Sequence, residues 1–149
     1  MGLSTEAYLS ALMEGVSQGK EVSMLITGNS MQPFLLGGRD TIWFRKPDRP
    51  LSRGDMAFFR RESGQYVMHR VQKVTSEGCI FLGDNQTVPE GPVPNDRICA
   101  VVTRVRRKGK ELGPGSFWWE FFRGFWLHIV PIRHFLMDLY RIFFNRRLR

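Results

Sequence analysis

The sequence predicts a mainly β protein: a compact antiparallel β domain with a short N-terminal helix and a C-terminal amphipathic helical segment. Three observations predict it. From Val22 onward, short apolar runs alternate with turn residues, the texture of an antiparallel sheet rather than a helix bundle. Before Val22 the apolar spacing is helical, and beyond Ser116 the chain becomes strongly aromatic. At 149 residues the chain suits one domain with attached elements.

The elements follow in order. Tyr8, Leu9, Leu12, Met13 and Val16 recur at helical spacing, so a helix is expected over 4–17 within an N-terminal unit of residues 1–20. Ser4 or Thr5 is placed to cap it, and Gly19-Lys20 to end it. Residues 21–105 form the β domain, with strands expected over 22–27, 41–45, 55–60, 65–74, 79–82 and 97–105. Gly37-Gly38-Arg39-Asp40, Pro47-Asp48-Arg49-Pro50, Ser63-Gly64 and Glu77-Gly78 break these runs. Asp40 and Asp55 follow glycine-containing breaks and read as turn acids, since Asp closes such turns through backbone contacts. Cys79 and Cys99 lie in separate strand-like runs and fit no metal-ligand spacing; buried thiols and a disulfide are both open. No metal or cofactor is expected.

Residues 106–116 read as a basic linker, and 117–149 as an aromatic helical segment. Residues 117–144 hold 11 of the 19 aromatic residues and three of the four tryptophans. At about 100° per residue, Glu120, Arg123, His134, Asp138, Arg141 and Asn145 fall on one side. The rest of the arc is nearly all Phe, Trp, Leu and Ile, with Arg133 and His128 as exceptions, and Pro131 should kink or split the helix. Charge follows the same division. Residues 1–103 hold 11 Lys+Arg and 11 Asp+Glu, whereas 104–149 hold 11 and 3, so the tail carries the whole net +8. An aromatic, basic helix suggests an anionic membrane surface, with Trp118, Trp119, Phe122, Phe125 and Trp126 in contact with lipid. The alternative is a helix packed on the β domain or in a dimer. Nucleic acid is not the expected partner, because an arginine-rich binder needs no such exposed Phe and Trp. The N-terminus shows no signal peptide, and no run of 18 uncharged apolar residues exists for an ordinary spanning helix. A peripheral or monotopic membrane association is the expectation.

Three short strings carry chemistry. Ser30 follows the apolar run Val22 to Thr27, His69 lies in Tyr66-Val67-Met68-His69-Arg70-Val71, and Asp84 ends Phe81-Leu82-Gly83-Asp84. A serine hydroxyl is a poor nucleophile until a base takes its proton, neutral imidazole serves near pH 7, and a carboxylate commonly fixes its tautomer. Lys73 is a conceivable base in a shifted register. The tail histidines, His128 and His134, read as interfacial or packed side chains.

Gly28-Asn29-Ser30-Met31-Gln32-Pro33, Arg53-Gly54-Asp55-Met56-Ala57-Phe58-Phe59, Met68-His69-Arg70-Val71 and Leu82-Gly83-Asp84-Asn85, followed by a closing strand from Ile98 to Val105, together resemble the type I signal peptidases. The likeness extends to the self-cleaving repressors that share their fold, and covers about residues 22–105. Bacterial members generally place a lysine where this chain has His69; the histidine resembles the endoplasmic-reticulum and archaeal branch. The resemblance implies that Ser30 attacks the scissile carbonyl, that His69 acts as base and then acid, and that Asp84 orients the imidazole. It also implies a peptide or pre-protein substrate, bound as an added strand beside Ser30.

Three departures accompany the resemblance. Many members carry Ser-Gly-Ser-Met, whose first serine helps bind the oxyanion; Gly28 stands there, as in the repressor-like branch. The oxyanion is left to the Ser30 N–H and the Asn29 side chain, and loss of one donor costs about 10²–10³ in rate. Glu90 or Asp96 offers a further acid after Gly83-Asp84-Asn85, leaving the third residue open. The usual N-terminal anchor is replaced, on this reading, by the C-terminal helix. The implied function is a membrane-associated serine endopeptidase that removes signal or leader peptides, with an exporter as a possible partner. A self-processing relative of the repressors and a catalytically weak membrane adaptor are the alternatives.

Overall fold

The computed structural model describes residues 5–147. Helix α1 (Thr5–Ser17) buries Leu9, Met13 and Val16, one apolar face at the spacing the sequence predicts. Eight strands follow: β1 (Val22–Leu25), β2 (Thr41–Arg45), β3 (Met56–Arg60), β4 (Tyr66–Thr75), β5 (Gly78–Leu82), β6 (Glu90–Val93), β7 (Ile98–Arg107) and β8 (Lys110–Leu112). They form one antiparallel sheet in the order β1-β2-β7-β3-β4-β5-β6, with β8 paired to β7. The mainly β architecture with flanking helices is the predicted one.

Strand alternation divides the core between the two faces. Met56 and Phe58 of β3 join α1, Met31, Phe34 and Phe44 in the larger cluster. Ala57 and Phe59 join Val71, Cys79, Phe81 and Val93 in the smaller one. Register shifts in the β2–β7, β3–β7, β4–β5 and β5–β6 pairings add local twist. The sheet curls enough for residues of β1 and β4, four places apart in strand order, to line a common cleft.

The stretch 106–116, expected as a linker, is largely part of the sheet. β7 runs to Arg107 and turns through Lys108 and Gly109, at φ 51° and 79°, into β8. Two left-handed residues are what a tight hairpin of primed type requires. The Lys-Gly pair carried that signal, but the surrounding charge masked it.

The tail departs further from expectation. It is not one helix but α2 (Phe117–Arg123), α3 (Phe125–His128) and α4 (Arg133–Arg147), broken at Gly124 and at the short 3-10 turn Val130–Ile132 around Pro131. A single helical wheel therefore misassigns its faces. Trp119, Phe122 and Trp126, expected at a lipid surface, are buried in the larger core cluster. Phe34 packs against Phe122 at 4.9 Å and Trp119 at 6.4 Å between ring centres. Trp118 and Phe125, by contrast, are exposed. His128 is exposed; of His134 and Asn145 only the backbone is described. Part of the tail's basic charge is internal as well. Arg107 donates to the Phe34 and Pro33 carbonyls, and Arg133 is 1% exposed. Cys79 and Cys99 are free thiols, both pushed up in pKa by burial.

Candidate active site

Ser30 sits in the turn that leaves β1, and four sets of contacts fix that turn. Gly28 adopts φ +75°, a region open to glycine, and a side chain at Gly37 would collide with the Gly28 carbonyl. The Ile26 N–H donates to the Asp40 carbonyl at 2.8 Å, and Gly38 N–H to the Ile26 carbonyl at 2.9 Å. The Asp40 carboxylate takes the Leu36 and Lys108 N–H groups and both arms of Arg39. Burial pushes that carboxyl up, but these donors outweigh it and hold its pKa below the ordinary value. Asp40 is thus the turn acid expected. Asp55 is another, accepting from Ser52 N–H and Arg49.

The fourth set comes from Gly83-Asp84-Asn85. Asn85 N–H donates to the Ser30 carbonyl at 2.9 Å, and Asn85 Nδ2 to the Asn29 carbonyl at 3.1 Å. A Cβ at Gly83 would come within 2.7 Å of the Ser30 carbonyl oxygen, so that approach requires glycine. This loop is braced from behind by the tail. Trp126 Nε1 donates to the Asp84 carbonyl at 2.8 Å. Buried Arg133 donates to the carbonyls of Gly83, Gln86 and Trp126. Arg133, out of place in an apolar arc, is explained: it supplies a partner for two buried carbonyls, Gly83 and Trp126, and for the half-buried one of Gln86. The Ser30 N–H itself has no partner among the described residues, and the Asn29 side chain is exposed beside it.

His69 lies on β4. Its register partner is Ala57, which puts it on the sheet face of Phe59, whose ring is 6.2 Å away. The next residue, Arg70, pairs with Met56 and points to the opposite face. There it clamps both oxygens of Asp84 at 2.8 Å, in a bidentate pair that is almost wholly buried. The expected role of Asp84 is therefore corrected. Its carboxylate oxygens are committed to Arg70, and it orders the loop packed on Ser30 instead of the imidazole. The Met-His-Arg-Val string contained this outcome, because adjacent strand residues diverge. Arg70 and Arg133, which hold the loop beside Ser30, are the residues of the candidate site that the sequence reading missed.

His69 Nδ1 is buried and has no hydrogen-bond partner. Burial lowers its pKa to about 4, with Glu90 pulling the other way. Glu90 shares its face, through the pairings Val71 with Phe81 and Phe81 with Glu90. Its carboxylate is held by Arg61 at 2.9 and 2.7 Å, which lowers its pKa. Asp96, the other candidate acid, sits in the short 3-10 turn Asn95–Arg97 and lines a separate cavity with Cys79 and Cys99. Lys73 is exposed and is not among the residues lining the Ser30–His69 cleft.

Ser30 and His69 line one cleft of about 310 Å³, although no hydrogen bond joins them. Met24, Ile26, Ile42 and Phe58 give it apolar walls. Its two sides are strand edges. β1 pairs with β2 alone, and Tyr66–His69 of β4 pair with β3 on one side only, because β5 ends at Leu82, opposite Arg70. Both edges offer backbone groups to a peptide in extended form. No family model matches the chain, and no curated protein or solved structure matches it at significance.

Proposed function

We propose that the protein is a membrane-associated serine endopeptidase of the signal-peptidase-like kind, using Ser30 and His69 to cleave an extended peptide. The observation that carries the reading is the shared cleft: a serine with a free N–H and a neutral histidine between two unpaired strand edges. Ser30 Oγ attacks the scissile carbonyl while His69 takes its proton. With Nδ1 buried, Nε2 is the nitrogen left to face the cleft. The imidazole is neutral at pH 7, because burial disfavours its charged form. His69 then returns the proton to the leaving amine, and water resolves the acyl-enzyme. The developing oxyanion is met by the Ser30 N–H and, by rotation, the Asn29 side chain. Glu90 replaces Asp84 as the third residue: once released from Arg61 it accepts the Nδ1–H. In unliganded enzymes such contacts are often long and tighten on the substrate. The apolar walls suit small side chains beside the cleaved bond, and a signal or leader peptide is the substrate class.

The membrane part of the proposal rests on a different surface. Phe117, Trp118, Phe125, Phe135, Leu139 and Phe143 are exposed on the C-terminal helices beside Arg141. Apolar side chains next to cations suit an in-plane helix on an anionic bilayer. No helix among the described residues is long and apolar enough to cross a membrane. An exporter acting on the same peptide is a compatible partner.

The test uses internally quenched peptides with small residues around the bond, followed by mass spectrometry. The wild-type chain should cut at one bond, and Ser30→Ala and His69→Ala should not. Cleavage that survives in Ser30→Ala sinks the proposal, and self-cleavage at one internal site moves it to the self-processing alternative. Flotation with anionic vesicles reads the membrane part: Phe125→Glu with Phe135→Glu should release the protein without unfolding it. Unchanged flotation of that variant removes the helices as the anchor.

A further inference from the structure

Helix α1 contributes to the lining of the cleft, and what it places there bears on which peptides the cleft takes; this rests on the peptidase reading above. Glu6 and Leu9 of α1 line the cleft. Leu9 is 6% exposed and, with Met13 and Val16, seats the helix in the core, so the position of Glu6 one turn earlier is fixed. Glu6 Oε2 accepts the Tyr66 N–H at 3.4 Å. Tyr66 opens β4, and this N–H points away from β3, along the edge that a peptide strand would use.

We propose that Glu6 is a specificity-determining residue, lining the cleft and selecting a cationic group on the substrate about three residues from the cleaved bond. The spacing comes from β4: Tyr66 to His69 is three steps, or about 10 Å of extended chain at about 3.3 Å each. The sign comes from the surrounding charges. Arg61 faces the same cleft, but Glu90 and Gln65 occupy its guanidinium. Glu6 has no ion-pair partner among the described residues. Arg61 is thus neutralised while a substrate docks, before Glu90 turns to His69, and the Glu6 carboxylate is free to take another cation. The bond to Tyr66 is long and exposed, so a substrate carbonyl can displace it while the carboxylate turns to the incoming charge. A Lys or Arg side chain and a free α-amino terminus supply the same chemistry.

The experiment measures charge preference with the full chain. Peptides carry Lys, Ala or Glu at the third or fourth position on either side of the bond. A parallel set ends there with a free or acetylated N-terminus. Wild type should favour Lys over Glu by about five- to tenfold in kcat/KM at one position, through KM, as suits an ion pair near solvent. Glu6→Lys should invert that order and Glu6→Gln abolish it, each rate being taken relative to the Ala peptide on the same protein. Loss of the preference on acetylation assigns the cation to the α-amine, and its persistence assigns it to the side chain. The same order read as Kd on Ser30→Ala protein, by fluorescence anisotropy, needs no turnover. A Lys preference that Glu6→Lys leaves unchanged, or no charge preference in either readout, overturns the proposal. Binding preference without cleavage keeps it and removes the peptidase reading instead.

Discussion

The Ser30 side of the cleft is tied down through its backbone, whereas the His69 imidazole is placed by its strand and its packing, without a hydrogen bond at Nδ1. Around Ser30, Asn85 holds two successive carbonyls, Gly83 packs on one of them, and Arg133 and Trp126 hold the loop that supplies both. Around His69, the Glu90 carboxylate on its face is spent on Arg61. The contrast teaches where each kind of precision resides. On the proposed reading, Ser30 is organised in advance by buried polar contacts, and His69 waits for a partner exchange at a half-exposed ion pair, which is inexpensive to break. The tail belongs to the first arrangement: it is a brace for the Gly83-Asp84-Asn85 loop as well as an apolar surface.

The strongest break in this comparison is at Asp84. Asp84→Asn leaves Arg70 buried without its counter-charge and should cost about 3–5 kcal/mol of stability, read as the shift in urea midpoint. The acid limb of activity should move slightly down, because the Asp84 charge raises the His69 pKa from a distance. A rate that falls about a hundredfold in the folded Asp84→Asn protein returns that residue to the role of His69's partner.

Glu90→Gln should do the reverse. The rate of Ser30 acylation should fall about a hundredfold, as for loss of an acid–base partner, with little change in the midpoint. If the rate is unaffected, His69 works without a carboxylate.

The remaining effect is on pH. With His69 near 4 in the fold and about 6.5 unfolded, the unfolded chain binds the proton first as pH falls. Its contribution is full above about pH 6.5 and is lost towards pH 4, a change of about 3 kcal/mol. Activity should keep its acid limb near pH 4. Arg61→Gln removes a cation that lowers the His69 pKa, so the limb should move up in that variant. A wild-type limb near pH 6.5 contradicts a buried base.

Much of the sheet could be read directly, because Met56–Phe59 is an apolar run after Gly54-Asp55, and Tyr66–Thr75 is rich in β-branched and aromatic residues between Ser63-Gly64 and Glu77-Gly78. β6 escaped because Gly91-Pro92 interrupts it, which an edge strand tolerates. β8 escaped because it is three residues in a run of charge. Ser30 and His69 were legible from their strings and do share a cleft. Asp84 was misjudged because chain order was read without strand parity, which sends His69 and Arg70 to opposite faces. Trp119, Phe122 and Trp126 were misjudged because a wheel drawn through Gly124 and Pro131 mixes buried and exposed faces. Tertiary packing decided both, and composition does not encode it.

The most direct test of the central claim, that Ser30 is a nucleophile activated by His69, is labelling of the folded full-length chain with a fluorophosphonate and mapping of the adduct. The account predicts one adduct, on Ser30, absent in Ser30→Ala and slowed by at least about 10³-fold in His69→Ala. An unlabelled wild-type chain, or labelling of equal rate in His69→Ala, contradicts it.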